Sequence, residues 1–104
     1  MVAGPSFDFR HFEALPAAER VSQADAAAKA MFPPGTTVAA FMTSLAAAGA
    51  KCAVVRDSIG PAVDCIYSPR RFSIVTTDWN VVGRTDDAGI EIREVFVTRD
   101  LTGP

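Results

Sequence analysis

Few of the 104 residues carry side chains from which a reaction can be assembled. The single histidine, His11, lies in Phe9-Arg10-His11-Phe12-Glu13, and a lone imidazole among aromatics reads as structural or solvent-facing. Ser58 follows Asp57 in a turn-like segment, but the motif brings no general base to activate it. No Gly-x-Ser-x-Gly elbow, phosphate-cradling loop or dinucleotide-type glycine pattern is written in the chain. Cys52, Cys65 and His11 fall short of a four-ligand zinc set unless carboxylates join them. Asp86-Asp87 lacks the spaced oxygen ligands and closing glutamate of a calcium loop, so with Gly89 it reads as turn chemistry. What remains for catalysis is a pair of carboxylates drawn from Asp64, Asp78 and Glu94, one of them raised in pKa by burial. The reading assigns no catalytic residue, no metal and no cofactor.

Charge narrows the partners. Ten Lys and Arg stand against twelve Asp and Glu, a net charge of −2 with both signs dispersed. Phosphate neutralisation needs clustered cations, so no nucleic-acid partner is expected. The densest cluster is Arg70-Arg71, which with Arg56, Arg84, Arg93 and Arg99 can form a local patch; a solvated surface is the simpler account. No window approaches the ~18 consecutive apolar residues of a membrane span. The first residues lack the charged start and apolar stretch of a signal peptide. The compartment is therefore left open: periplasmic or secreted if a leader has been removed, cytoplasmic otherwise.

The elements that must position these groups follow from periodicity. The length suits one domain, 1–104, and the 49% apolar share is globular, although much of it is alanine. Residues 1–14 read as an arm offering Phe7, Phe9 and Phe12 to the body, 15–49 as a helical half and 50–100 as a sheet. This order predicts an α+β fold with two N-terminal helices packed on one face of a three- to four-stranded antiparallel sheet. Pro16 opens the first helix, Ala17, Val21, Ala24, Ala28 and Met31 form its apolar face, and Pro33-Pro34-Gly35 ends it. Asp25 and Lys29 make an i, i+4 ion pair on another face. Thr36 or Thr37 caps the second helix, Val38, Phe41, Met42, Leu45 and Ala48 form its stripe, and Gly49 closes it.

Beyond Gly49 the period changes to two, predicting strands near 51–56, 62–68, 72–84 and 90–99. Alternation places Cys52, Val54, Val63, Cys65, Tyr67, Trp79, Val81, Ile90 and Ile92 on the core face. Asp64, Ser68, Asn80, Arg84, Glu91 and Arg93 fall on the other. Trp79 is expected to be buried between helices and sheet. The last strand breaks the rule, because Glu94 joins the inward set while Val95 and Val97 join the outward one. A β-bulge near Glu94 repairs the pattern; without it the valines are exposed. On the uncorrected parity the outward face offers Ile66, Val82, Arg84, Arg93 and Val97 to a protein partner, a mixture of apolar and arginine side chains typical of interface anchors. A hairpin loop over Asp57–Gly60 pairs Arg56 with Pro61 and Val54 with Val63, which sets Cys52 opposite Cys65. Opposed Cα atoms ~4.5–5.5 Å apart lie within disulfide reach, so a Cys52–Cys65 bond is expected if the protein is exported.

Phe32-Pro-Pro-Gly-Thr-Thr-Val38, the helix ending Leu45-Ala-Ala-Ala-Gly49, Trp79-Asn-Val-Val82 and the Asp86-Asp87-Ala88-Gly89 turn before Ile90 to Val97 occur in a suggestive order. Over residues 32–98 this order resembles the outer-membrane assembly lipoproteins of the SmpA/OmlA type and the related β-lactamase-inhibitor-protein fold. The resemblance implies a binding module that presents a sheet face or loops to another protein, and it carries over no catalytic residue. Those lipoproteins bear an N-terminal signal and a lipid-modified cysteine, which are not expected of this sequence, a departure that puts their role in membrane assembly in doubt here. The expected function is a non-enzymatic protein-interaction module, a periplasmic adaptor or inhibitor-like protein. The alternatives are a small enzyme using convergent carboxylates and a cytoplasmic or phage-type regulator.

Overall fold

A computed structural model describes residues 7–69 and 76–102. Three helices, α1 (Phe9–Glu13), α2 (Ala17–Met31) and α3 (Val38–Ala47), precede four strands, β1 (Lys51–Arg56), β2 (Pro61–Tyr67), β3 (Thr76–Thr85) and β4 (Ile92–Thr102). The strands form one antiparallel meander in the order β1-β2-β3-β4, and the helices pack against its inner face. The α+β class and the helices-on-sheet arrangement are those the sequence predicts, with one helix more. The expected strand residues 72–75, and Arg70-Arg71, lie outside the described residues.

The additional helix comes from the arm. Asp8 caps α1 by accepting the Arg10 N–H, and the short helix turns Phe9 and Phe12 inward. With Phe7 they build an aromatic cluster in which Phe9 stacks on Tyr67 at 4.4 Å and both Phe9 and Phe12 lie beside Trp79. Trp79 is fully buried there.

In α2 the inward positions Ala24 and Ala28 are fully buried, and their small side chains let the helix lie close against β4. Asp25 and Lys29 form their ion pair at 2.7 Å. Both also reach the backbone of β4: Lys29 Nζ donates to the Val95 carbonyl at 2.8 Å, and the Val97 N–H donates to Asp25 Oδ1 at 3.0 Å.

Helix α3 starts at Thr37, whose hydroxyl accepts the Ala40 N–H, and buries Phe41 and Leu45. It ends through Gly49 at φ 102°, with the Ala50 N–H returning to the Leu45 carbonyl, the pairing of a left-handed helix terminus. Phe41 sits over Gly83 of β3, the one strand position there without a Cβ to obstruct it.

The register of the first hairpin is the expected one: Arg56 with Pro61, Val54 with Val63, Cys52 with Cys65. Asp57 and Gly60 also exchange two backbone hydrogen bonds, which tightens the loop to Ser58-Ile59. Cys52 and Cys65 are joined as a disulfide, with Cα atoms 4.0 Å apart.

Six side chains, Val54, Ile90, Glu94, Val95, Phe96 and Val97, stand elsewhere than simple alternation predicts. In the β3–β4 pairing, Arg84 lies opposite Glu94 and Thr85 opposite Ile92, so Arg93 is the extra residue of a β-bulge. The bulge turns Val95 and Val97 inward and Glu94 outward. Val97, expected among the partner-binding residues, is 4% exposed and packs in the core, and Phe96 takes the outward position. Val54 has core parity but is 68% exposed, because β1 is the last strand of the sheet. Ile90 is 60% exposed because it lies ahead of β4, where residues 90–92 run beside the segment that joins α2 to α3: Val38 N–H donates to the Ile90 carbonyl and Ile92 N–H to the Thr36 carbonyl.

Candidate functional site

All three helices lie on the inner face, and the strand register arranges the outer face in cross-strand rows. One row runs Lys51, Ile66, Asn80, Thr98; the next runs Ala53, Asp64, Val82, Phe96; the third runs Val55, Ala62, Arg84, Glu94. Val82 and Phe96 are direct cross-strand neighbours, and Ile66 stands diagonally across from Val82. Phe96 is 43% exposed, and Lys29 Nζ lies 5.2 Å from its ring centroid, a cation–π distance. The centre of this face thus sets Ile66, Val82 and Phe96 beside Asp64 and Asn80, with charged side chains at its margin.

Arg84 is locked in place. Its guanidinium makes two bonds to the Asp57 carboxylate, at 2.9 and 2.6 Å. To do so it reaches across Ala62, which lies between β1 and β3 and is buried. The Arg84 bonds, with the Ile59 and Gly60 N–H groups, hold the Asp57 carboxyl well below the usual carboxylate range, and Asp57 in turn raises the Arg84 pKa. Arg93, at the bulge, is exposed and shares a depression of about 340 Å³ with Ile59, Pro61, Arg84 and Glu94. A larger depression of about 460 Å³ opens over Lys51, Ala53, Asp64, Ile66 and Ser68.

Of the five residues the sequence proposes for a partner, Ile66, Val82 and Arg84 share the outer face and Arg93 stands on its rim. Val97 does not belong with them. Phe96, which sequence reasoning missed, completes the apolar group; the inverted Glu94–Val97 pattern was the signal that pointed to it. The three candidate carboxylates do not converge. Asp64 and Glu94 lie in different rows on strands separated by β3, and Asp78 lies two rows beyond Asp64, roughly 13 Å along the strands. Asp78 is bonded by the Ser68 hydroxyl. His11 is exposed, with its ring edge on Phe12. Among the described residues, no three His, Cys, Asp or Glu side chains gather as a metal site.

A second charged cluster, also missed, lies half-buried at the end of α1. Glu13 accepts the Trp79 indole N–H at 2.9 Å and two bonds from Arg99, at 3.0 and 2.8 Å. These donors, Arg99 foremost, lower the Glu13 pKa from 4.5 to about 2 against the opposing effect of burial. No sequence motif links positions 13, 79 and 99. The cluster fastens the N-terminal segment to the sheet.

The fold and this face define a four-stranded antiparallel meander with helices on one side and a mixed apolar and charged surface on the other. No protein family, curated protein or solved structure matches the chain.

Proposed function

We propose that the chain is a non-enzymatic protein-interaction module that presents the outer face of its sheet to a protein partner. The observation that carries the reading is the apolar group of Ile66, Val82 and Phe96, interspersed with Asp64 and Asn80 and bordered by the fixed Arg84–Asp57 pair and the exposed Arg93. Such a pattern, an apolar group and a charged rim with arginine, is that of protein interfaces. The resemblance of residues 32–98 to the SmpA/OmlA-type and β-lactamase-inhibitor-protein domains points the same way. The Cys52–Cys65 disulfide favours a periplasmic or secreted adaptor or inhibitor-like protein, since such bonds persist in oxidising compartments.

Covalent cross-linking in native cell-envelope extract, followed by mass spectrometry, tests the reading with three proteins: the native chain, Phe96→Asp and Arg93→Ala. The expected result is a partner joined to the native chain and lost from both variants while their thermal unfolding is unchanged. An identical set of cross-linked proteins for all three would refute the outer face as the interface.

A further inference from the structure

The two edges of the sheet are treated differently. At the β4 edge, Asp25 and Lys29 of α2 occupy the Val97 N–H and the Val95 carbonyl, so α2 covers part of that edge. At the β1 edge, the hairpin dictates which groups are left. Asp57 and Gly60 form a hydrogen-bonded pair, and bonded and non-bonded pairs alternate from there along the hairpin. Arg56–Pro61 is then non-bonded, as proline requires, and so are Val54–Val63 and Cys52–Cys65. The 4.0 Å Cα separation at the disulfide agrees, because the non-bonded pairs are the closely spaced ones. The N–H and C=O groups of Cys52, Val54 and Arg56 therefore point away from β2, and among the described residues no hydrogen bond reaches them.

We propose that a second copy of this chain pairs with that edge, β1 against β1 in antiparallel two-fold symmetry centred on Val54, to make a continuous eight-stranded sheet. The choice of register follows from chemistry on both sides. Centring on Val54 aligns outward-pointing groups with outward-pointing groups: Val54 with its twin, and Cys52 with Arg56 of the second copy at either end. It also sets Lys51 opposite Asp57 of the second copy, twice, on the outer face. The side chain of Asp57 is 47% exposed beside its Arg84 partner, so a second cation can approach it. Between these ends Ala53 meets Val55, and the exposed Val54 meets another Val54. Centring on Ala53 sets Lys51 opposite Val55 and Arg56 opposite Ala50, with no ion pair; centring on Val55 pairs fewer residues of β1. The bonding pattern admits each of these residue-centred registers, and the charge pairing of Lys51 with Asp57 selects the one centred on Val54 and a second copy of this chain as the occupant. The inference stands apart from partner binding by the outer face.

Sedimentation velocity of the full oxidised chain over a concentration series tests it, alongside Val54→Lys, Lys51→Asp and Phe96→Asp. The expected result is a native dimer, no dimer for Val54→Lys, and at least a tenfold weaker dimer for Lys51→Asp, all with unchanged thermal unfolding. Phe96→Asp, on the outer face, is expected to dimerise like the native chain. A native chain that stays monomeric up to the order of a millimolar would overturn the proposal. So would a dimer that survives Val54→Lys, or one that Phe96→Asp abolishes.

Discussion

Replacing Glu13 by glutamine removes the negative charge on which Trp79 and Arg99 converge while keeping an oxygen that can accept from the indole. A carboxyl lowered from 4.5 to about 2 is ionised in the folded chain at pH values where the unfolded chain has already taken up a proton. Its contribution to stability is thus fully present above pH 4.5 and is lost as the pH falls through about 2. The full shift corresponds to roughly 3 kcal/mol. The carboxylate is partly solvated, with 24% of its side chain exposed, and screening reduces the expected value to about 1–2 kcal/mol. The assay is urea unfolding of native protein and Glu13→Gln at a series of pH values between 2 and 7, followed by the fluorescence of the single tryptophan. The native protein should be the more stable by that amount at neutral pH, and the difference should shrink steadily below pH 4.5. A difference that stays constant to pH 2, or none at pH 7, would refute the assignment of this cluster as the fastening of α1.

Two other perturbations have magnitudes set by the packing. A Cβ at Gly83 would lie 2.7 Å from Ile92 Cδ1 and 3.1 Å from the Phe41 ring, so Gly83→Ala should cost ~1–3 kcal/mol by overpacking, read as a lower urea midpoint with an unchanged slope. Reducing the Cys52–Cys65 bond, which spans a separation of 13 residues, should cost about 2–3 kcal/mol; alkylation of the denatured, unreduced protein should modify neither cysteine, and two modified thiols would show the bond absent.

The hairpin was the most legible part of the structure, because its register depends only on local turn chemistry. Asp57 and Gly60 bracket a two-residue turn, and once that turn is placed every β1–β2 pair follows, the cysteines included. Helix α3 was equally readable from a capping threonine, a five-residue stripe and a closing glycine. In each case a short window holds all the information. The face of Trp79 was also correct, since β3 keeps strict alternation from Thr77 to Gly83.

What the sequence concealed lies where distant segments meet. Asp25 and Lys29 are legible as an i, i+4 pair, but their backbone targets on β4 are 66 and 72 residues away, and no spacing rule connects them. Glu13 is separated from its partners in the same way, by 66 and 86 residues. The placement of Val97 on the outer face failed for a different reason. A period of two reports which side a residue faces only until the first extra residue, after which every later assignment is reversed. The Arg93 bulge is such a residue, and the sequence signalled it through a charged Glu94 on the core side and two valines on the outer side. Of the two ways to resolve that conflict, burying both valines removes more apolar surface from water than a partly exposed phenylalanine returns to it, since Phe96 stays 43% exposed beneath the Lys29 ammonium and opposite Val82 in the register. The same bulge thus completes the core beneath α2 and supplies the outer face with its largest apolar side chain, so one unpaired residue decides both how β4 packs and what the outer face can bind.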